Sequence, residues 1–231
     1  LVYGNYHLWY LWMIAGIYAI TPILSKVIED NKLCKYLLIL CAAGCWVPGM
    51  LEAVPTLNNL AQEILQDKMY LFLPMGYTGY YILGYYLYSN KISDRHKHLI
   101  MIVGTFGMLY GVIGGILYGR HIGGASQATY NNLTLNIALY SAMVFVLFKD
   151  KIGTVCFTEK TKKIICNLGS ATLGIYLIHV MFVQAFSDRF MIATNYAYPF
   201  ASIPIAVLIF VCGFIVTGFV KKIPFAGKWI V

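Results

Sequence analysis

Apolar positions along this chain do not alternate with polar ones at the short periods of a soluble fold. They come in long blocks. Seven of them, residues 8–25, 35–54, 69–88, 99–119, 130–148, 164–186 and 200–220, carry almost no charge. Each is roughly 18–23 residues long, the length a helix needs to cross the hydrocarbon core of a bilayer. Backbone groups in lipid must be paired within the protein, so helices or a closed barrel are the options. Barrel strands would be about 10 residues long with alternating polarity. Continuous runs of twice that length predict an all-α, polytopic membrane bundle, one transmembrane domain over residues 1–231 with no soluble domain attached.

Between the blocks, residues 56–68 place Leu57, Leu60, Ile64 and Leu65 on one face at helical spacing, which predicts a short amphipathic helix on the outer surface. Gly107, Gly111, Gly115 and Gly119 recur every four residues in the fourth block. They share a helix face that lets a neighbouring helix approach closely, or leaves room for a bound chain. Pro22, Pro48, Pro74 and Pro204 each remove a helix hydrogen bond inside a block. Tyr77, Tyr80, Tyr81, Tyr85 and Tyr88 crowd the third, so some of them face the bundle interior.

Composition adds a topology. Hydrophobic residues make up 60% and charged residues 11%, against about one quarter charged in soluble domains. Mean hydropathy is +0.71. The net charge of +8 is not spread evenly. With seven spans, fourteen Lys and Arg fall in or beside 26–34, 89–98, 149–163 and the tail from Lys221, and only Lys68, Arg120 and Arg189 fall on the opposite side. This is the positive-inside pattern. It predicts an outer N-terminus and a cytoplasmic C-terminus for this chain, and it accounts for the basic charge without nucleic acid. The six cysteines, Cys34, Cys41, Cys45, Cys156, Cys166 and Cys212, avoid the outer loops and form no CxxC, so disulfides and a zinc site are not expected. They read as small buried hydrophobes.

Ionisable groups inside a membrane are costly and rare, which makes each a candidate site. Glu52 is the only acidic residue within a span and His179 the only histidine well inside one. Counting from residue 164, His179 lies roughly 22 Å along its helix at 1.5 Å per residue, in the outer third. His7, Arg120, His121, Asp188 and Arg189 fall at the predicted outer surface, with Asn136 about one and a half turns into the fifth span. Structural readings stand beside these. His7 fits an interfacial residue, Glu52 a carboxylate snorkelling to water, His179 a neutral histidine bonded to a backbone carbonyl, and the arginines surface anchors.

The run from His7 through Leu8, Trp9, Tyr10 and Leu11 into WMIAGIYAITPILSK resembles a motif of the membrane acyltransferase-3 family, in which H-x-W-[FY]-L opens a span that closes on a proline. GYYILGYYLY at 79–88, LGSATLGIYLIHVMF at 168–182 and IPFAGKWIV at 223–231 are similar to later family patterns, in the right order. The resemblance implies about seven helices present of ten. The missing first helices would carry an arginine and a histidine that this sequence lacks. It also implies transfer of an acyl group, commonly acetyl, from cytoplasmic acyl-CoA to a hydroxyl of an extracytoplasmic sugar or envelope polymer, in a bacterial inner membrane. On that reading His7, Glu52 and His179 are the catalytic candidates, a histidine suiting proton transfer near neutral pH. Trp9, Tyr10, Arg120, His121, Asn136 and Tyr176 are the acceptor-binding candidates. Lys91, Arg95, Lys97, Lys160, Lys162 and Lys163 are the candidates for the CoA phosphates. Similar membrane domains are fused to serine racemases, so a non-enzymatic role in amino-acid uptake or sensing is the alternative.

Overall fold

The computed structural model describes residues 8–51, 63, 68, 76–124, 128–190 and 202–222. Among them there is no strand. Seven helices follow in order among these described residues: α1 (Trp9–Ile28), α2 (Asn31–Leu51), α3 (Thr78–Ser89), α4 (Asp94–Ile122), α5 (Leu135–Leu147), α6 (Glu159–Phe190) and α7 (Ser202–Val220). Five of them, α1, α2, α4, α6 and α7, are long and apolar enough to cross a membrane. The predicted blocks therefore coincide with the helices, with shifted ends. α2 starts at Asn31 rather than residue 35 because Asp30 caps it, accepting from the Lys32 and Leu33 amides. α4 and α6 run past their apolar blocks into charged turns, since a helix does not stop where lipid does. Residues 128–134 form turns, so α5 begins five residues later than predicted. Of the predicted helix at 56–68 only Glu63 and Lys68, an ion pair at 2.8 Å, fall within the described residues.

The chain divides into two compact units, Leu11–Val155 and Leu1–Tyr10 with Cys156–Val231. In the first, α4 lies against α5 at glycines. A Cβ on Gly104 would stand 2.9 Å from the Leu139 carbonyl oxygen, and one on Gly107 would stand 2.6 Å from that of Asn136. Gly111 and Gly115 have looser neighbours, so the close approach involves only the first member of the predicted stripe, and Gly104 ahead of it.

Helix α2 contains a wide π turn at Ala42–Trp46, in which the Val47 amide reaches back to the Ala42 carbonyl. Pro48 explains it. Proline has no N–H for the Gly44 carbonyl and its ring crowds that turn, so the ladder slips by one residue. The turn delivers Cys45 and Trp46 into a core with Cys41 and Ala138. Trp46 lies over Tyr80 at 5.1 Å between ring centroids, and Gly79 admits the indole edge. A second cluster joins Leu24, Cys34 and Ile82, tying α1 to α2 and α3. Cys34, Cys41 and Cys45 are buried as predicted. Cys156 and Cys166 are exposed, which corrects the expectation for those two. All six thiols are free of disulfides.

The loops predicted for one side of the membrane meet at one end of this unit. Asn31 donates to Asn90 at 2.9 Å, Lys149 donates to the Asn90 carbonyl, and Lys97 pairs with Asp150 at 2.6 Å. At the other end the Tyr80 hydroxyl donates to the Asn132 carbonyl.

In the second unit α6 and α7 pack antiparallel. Ser170 accepts from Lys221 at 2.7 Å, and Ile175 fills the space left by Gly213. Ala171, Ile175 and Thr217 are buried.

Candidate functional site

His179 is half-buried on α6. Its Nδ1 stands 2.6 Å from the Tyr176 carbonyl oxygen, one turn back. A carbonyl only accepts, so in the neutral ring Nδ1 carries the proton and Nε2 is the basic nitrogen. The bond is the one expected of a structural histidine, and it also sets the tautomer that a general base requires. The imidazole leans on the Tyr176 ring at 5.6 Å between centroids. Tyr176 in turn meets Tyr10 edge-on at 5.4 Å, and Tyr10 meets Trp9 at 6.3 Å. Residues from the start of α1 and the middle of α6 thus form a continuous aromatic row ending at an imidazole. Trp9 and Tyr10 keep about two fifths of their surface exposed. His7 and Glu52 lie outside the described residues.

Asn136 is in the other unit. It is the second residue of α5, shallower than one and a half turns, because α5 starts late. It is buried at 2% exposure against the glycine face of α4, donates to the Thr129 carbonyl at 2.9 Å, and leaves its Oδ1 unpartnered. Arg120 and His121 are exposed in the last turn of α4, which Gly123 ends at φ +70°. Cations at this position complement the helix dipole. Arg120 is nine residues beyond Gly111, about 13 Å along the axis at 1.5 Å per residue, so it does not join Asn136.

The predicted phosphate-binding lysines are split between the units. Lys160, Lys162 and Lys163 are exposed on the first turns of α6, with Lys162 paired to Glu159 at 2.8 Å. Lys91 and Lys97 line a cavity of about 320 Å³ with Ile92, Val146, Lys149 and Asp150, and Arg95 is exposed nearby in sequence. Lys97 is bracketed by Asp150 at 2.6 Å and Asp94 at 3.7 Å.

Sequence reasoning counted Lys149 only as topology. In the structure its ammonium donates to the carbonyls of Leu87 and Tyr88 at 2.7 Å and of Asn90 at 3.2 Å. It thereby satisfies the open end of α3. The only signal in the sequence was a lysine placed directly after an apolar run.

No curated protein and no solved structure matches the chain. A family model does, the acyltransferase domain of the acyltransferase-3 family, over residues 1–220. With nearly every residue inside that match, and helices where a membrane bundle requires them, the chain belongs to the acyltransferase-3 family.

Proposed function

We propose that this protein is an O-acyltransferase of the bacterial inner membrane. It moves an acetyl or other acyl group from cytoplasmic acyl-CoA to a hydroxyl of an extracytoplasmic sugar or envelope polymer. The observation that carries the proposal is the row Trp9–Tyr10–Tyr176–His179 inside the family-matched region. Flat aromatic faces suit a sugar ring, and an imidazole whose Nδ1 is tied to a carbonyl presents Nε2 as a base.

In the reaction Nε2 of His179 takes the acceptor hydroxyl proton as the oxygen attacks the thioester carbonyl. The tetrahedral oxyanion is stabilised by nearby donors. It collapses with loss of the CoA thiolate, which the imidazolium reprotonates. His7 is the second polar group, and Glu52 orients a histidine. Arg120 and His121, both exposed at the end of α4, are further candidates for contact with the acceptor. Lys91, Arg95 and Lys97 of the Leu11–Val155 unit meet the phosphates of the donor, and Lys160, Lys162 and Lys163 of the other unit are separate candidates for the same role.

The test is transfer from radiolabelled acetyl-CoA to envelope glycan by the full-length protein in membranes. His179→Ala and His7→Ala should each lower the rate by about 10²–10⁴-fold, the usual contribution of a positioned base. Undiminished transfer in both variants would overturn the catalytic assignment. Serine uptake by vesicles with no acyl-CoA consumed would overturn the enzyme reading.

A further inference from the structure

Where the loops predicted to be cytoplasmic meet, the Leu11–Val155 unit holds a cavity of about 320 Å³ lined by Lys91, Ile92, Lys97, Val146, Lys149 and Asp150. Ligand pockets run from about 300 to 1,000 Å³, so this one suits an end group rather than a whole nucleotide. Two of its residues are apolar. Val146 is buried with Leu87 and Ala142, and Ile92 packs on that cluster. The other four are three cations and one carboxylate. Apolar walls beside charges of one prevailing sign keep water from screening them fully and draw in the opposite charge.

The three ammonium groups differ in how they are held. Lys149 gives its donors to the carbonyls of Leu87, Tyr88 and Asn90, so it is a fixed charge. Lys97 pairs with Asp150 at 2.6 Å and with the exposed Asp94 at 3.7 Å. Lys91 is exposed and, among the described residues, unpaired. Among the same residues Lys97 is the only cation paired with Asp150. Ion pairs this open to water hold weakly. A phosphate monoester brings up to two charges and three acceptor oxygens, so it competes well with one carboxylate for Lys97.

We infer that this cavity is a phosphate site in which Asp150 is the internal counter-ion. Asp150 holds Lys97 while the site is empty and yields it when a phosphate enters. Lys91 and Lys97 then bind the phosphate oxygens, and Lys149 adds a charge that does not move. Of the cations proposed for the donor, this selects Lys91 and Lys97, and it adds Lys149 and an exchangeable aspartate. A phosphate of the acyl donor and the headgroup phosphate of an anionic lipid offer the same chemistry. Assigning it to the donor rests on the acyltransferase reading, but the site is tested independently of transfer.

The probe is adenosine 3′,5′-bisphosphate, the phosphate-bearing end of CoA, titrated by calorimetry into the full-length protein in phosphatidylcholine nanodiscs. Saturable binding is expected, weakened about tenfold or more by Lys97→Met and several-fold by Lys91→Met, each removing a charge-assisted bond. Asp150→Asn should tighten it several-fold. Asp94→Asn removes the same charge farther from Lys97 and should tighten it less. Lys26→Met, at an exposed cation on the end of α1, should leave it unchanged. A second arm replaces phosphatidylcholine by phosphatidylglycerol and reads retained lipid by native mass spectrometry. If bisphosphate binding ignores both lysines, but phosphatidylglycerol is retained by the wild type and lost from both lysine variants, the site stands and its donor role falls. If neither probe depends on Lys91 and Lys97 in folded protein, or if Asp150→Asn weakens binding, the proposal is overturned. Bisphosphate bound at these lysines with no acyl transfer keeps the site and removes the enzyme reading. Transfer with an unchanged KM for acetyl-CoA in both lysine variants does the opposite.

Discussion

At the ends of α3 and α5, Lys149 donates to three carbonyls, Asn90 bridges Asn31 and Tyr86, and Lys97 is held by two aspartates. Along α6, His179 ties one nitrogen to its own helix and lies on a row of aromatic rings that remain partly exposed. The first region is rich in charge and internally satisfied. The second has little charge and keeps Trp9 and Tyr10 partly exposed. In a membrane protein the density of lysines is therefore a poor guide to chemistry, because cations near the interface serve topology and helix ends first. What distinguishes a candidate site is a basic atom beside exposed faces that a ligand can cover.

That contrast can be broken at either region. The largest effect is expected at the histidine. His179→Ala should reduce acetyl transfer by about 10²–10⁴-fold, a loss far larger than its effect on thermal unfolding in detergent. Equal losses of activity and stability would make His179 structural.

At the satisfied region the signs reverse. Lys149→Met removes charge-assisted bonds to the end of α3 and should cost about 1.5–3 kcal/mol of stability, read by thermal unfolding with and without bound acyl-CoA. A loss below about 0.5 kcal/mol would mean that water replaces the ammonium. Gly107→Val sharpens the same measurement at the α4–α5 crossing, where the added Cβ would press on the Asn136 carbonyl. Overpacking of this kind costs about 1–3 kcal/mol, and a neutral outcome would show that the two helices separate freely.

The smallest effect is expected from Asp150→Asn. Its pair with Lys97 is about a third exposed on both sides, so water screens it and stability should change little. If Lys97 meets the donor phosphates, the released ammonium should lower KM for acyl-CoA with kcat little changed. A raised KM would place Asp150 itself among the groups that position the donor.

The membrane character, the helical class and the helix order were legible from block length alone, because a bilayer imposes a length that no side-chain detail can override. The family was legible because its motifs are local, as in the His7–Leu11 run and GIYLIH at 174–179. Helix ends were less so. Asp30 lengthened α2 through capping bonds, and turns at 128–134 shortened α5, neither of which hydropathy registers.

The partnerships were not legible at all. Tyr10 and Tyr176 are far apart in sequence and meet ring to ring. Lys149 reaches carbonyls about sixty positions earlier. Gly104, which ranks with Gly107 at the α4–α5 crossing, lies outside the four-residue repeat. Periodicity reports which face of a helix is apolar or small, a property of one segment in its solvent. Which segment comes to that face, and at what distance, depends on the packing of side chains between helices, and that is settled only when the whole chain has folded.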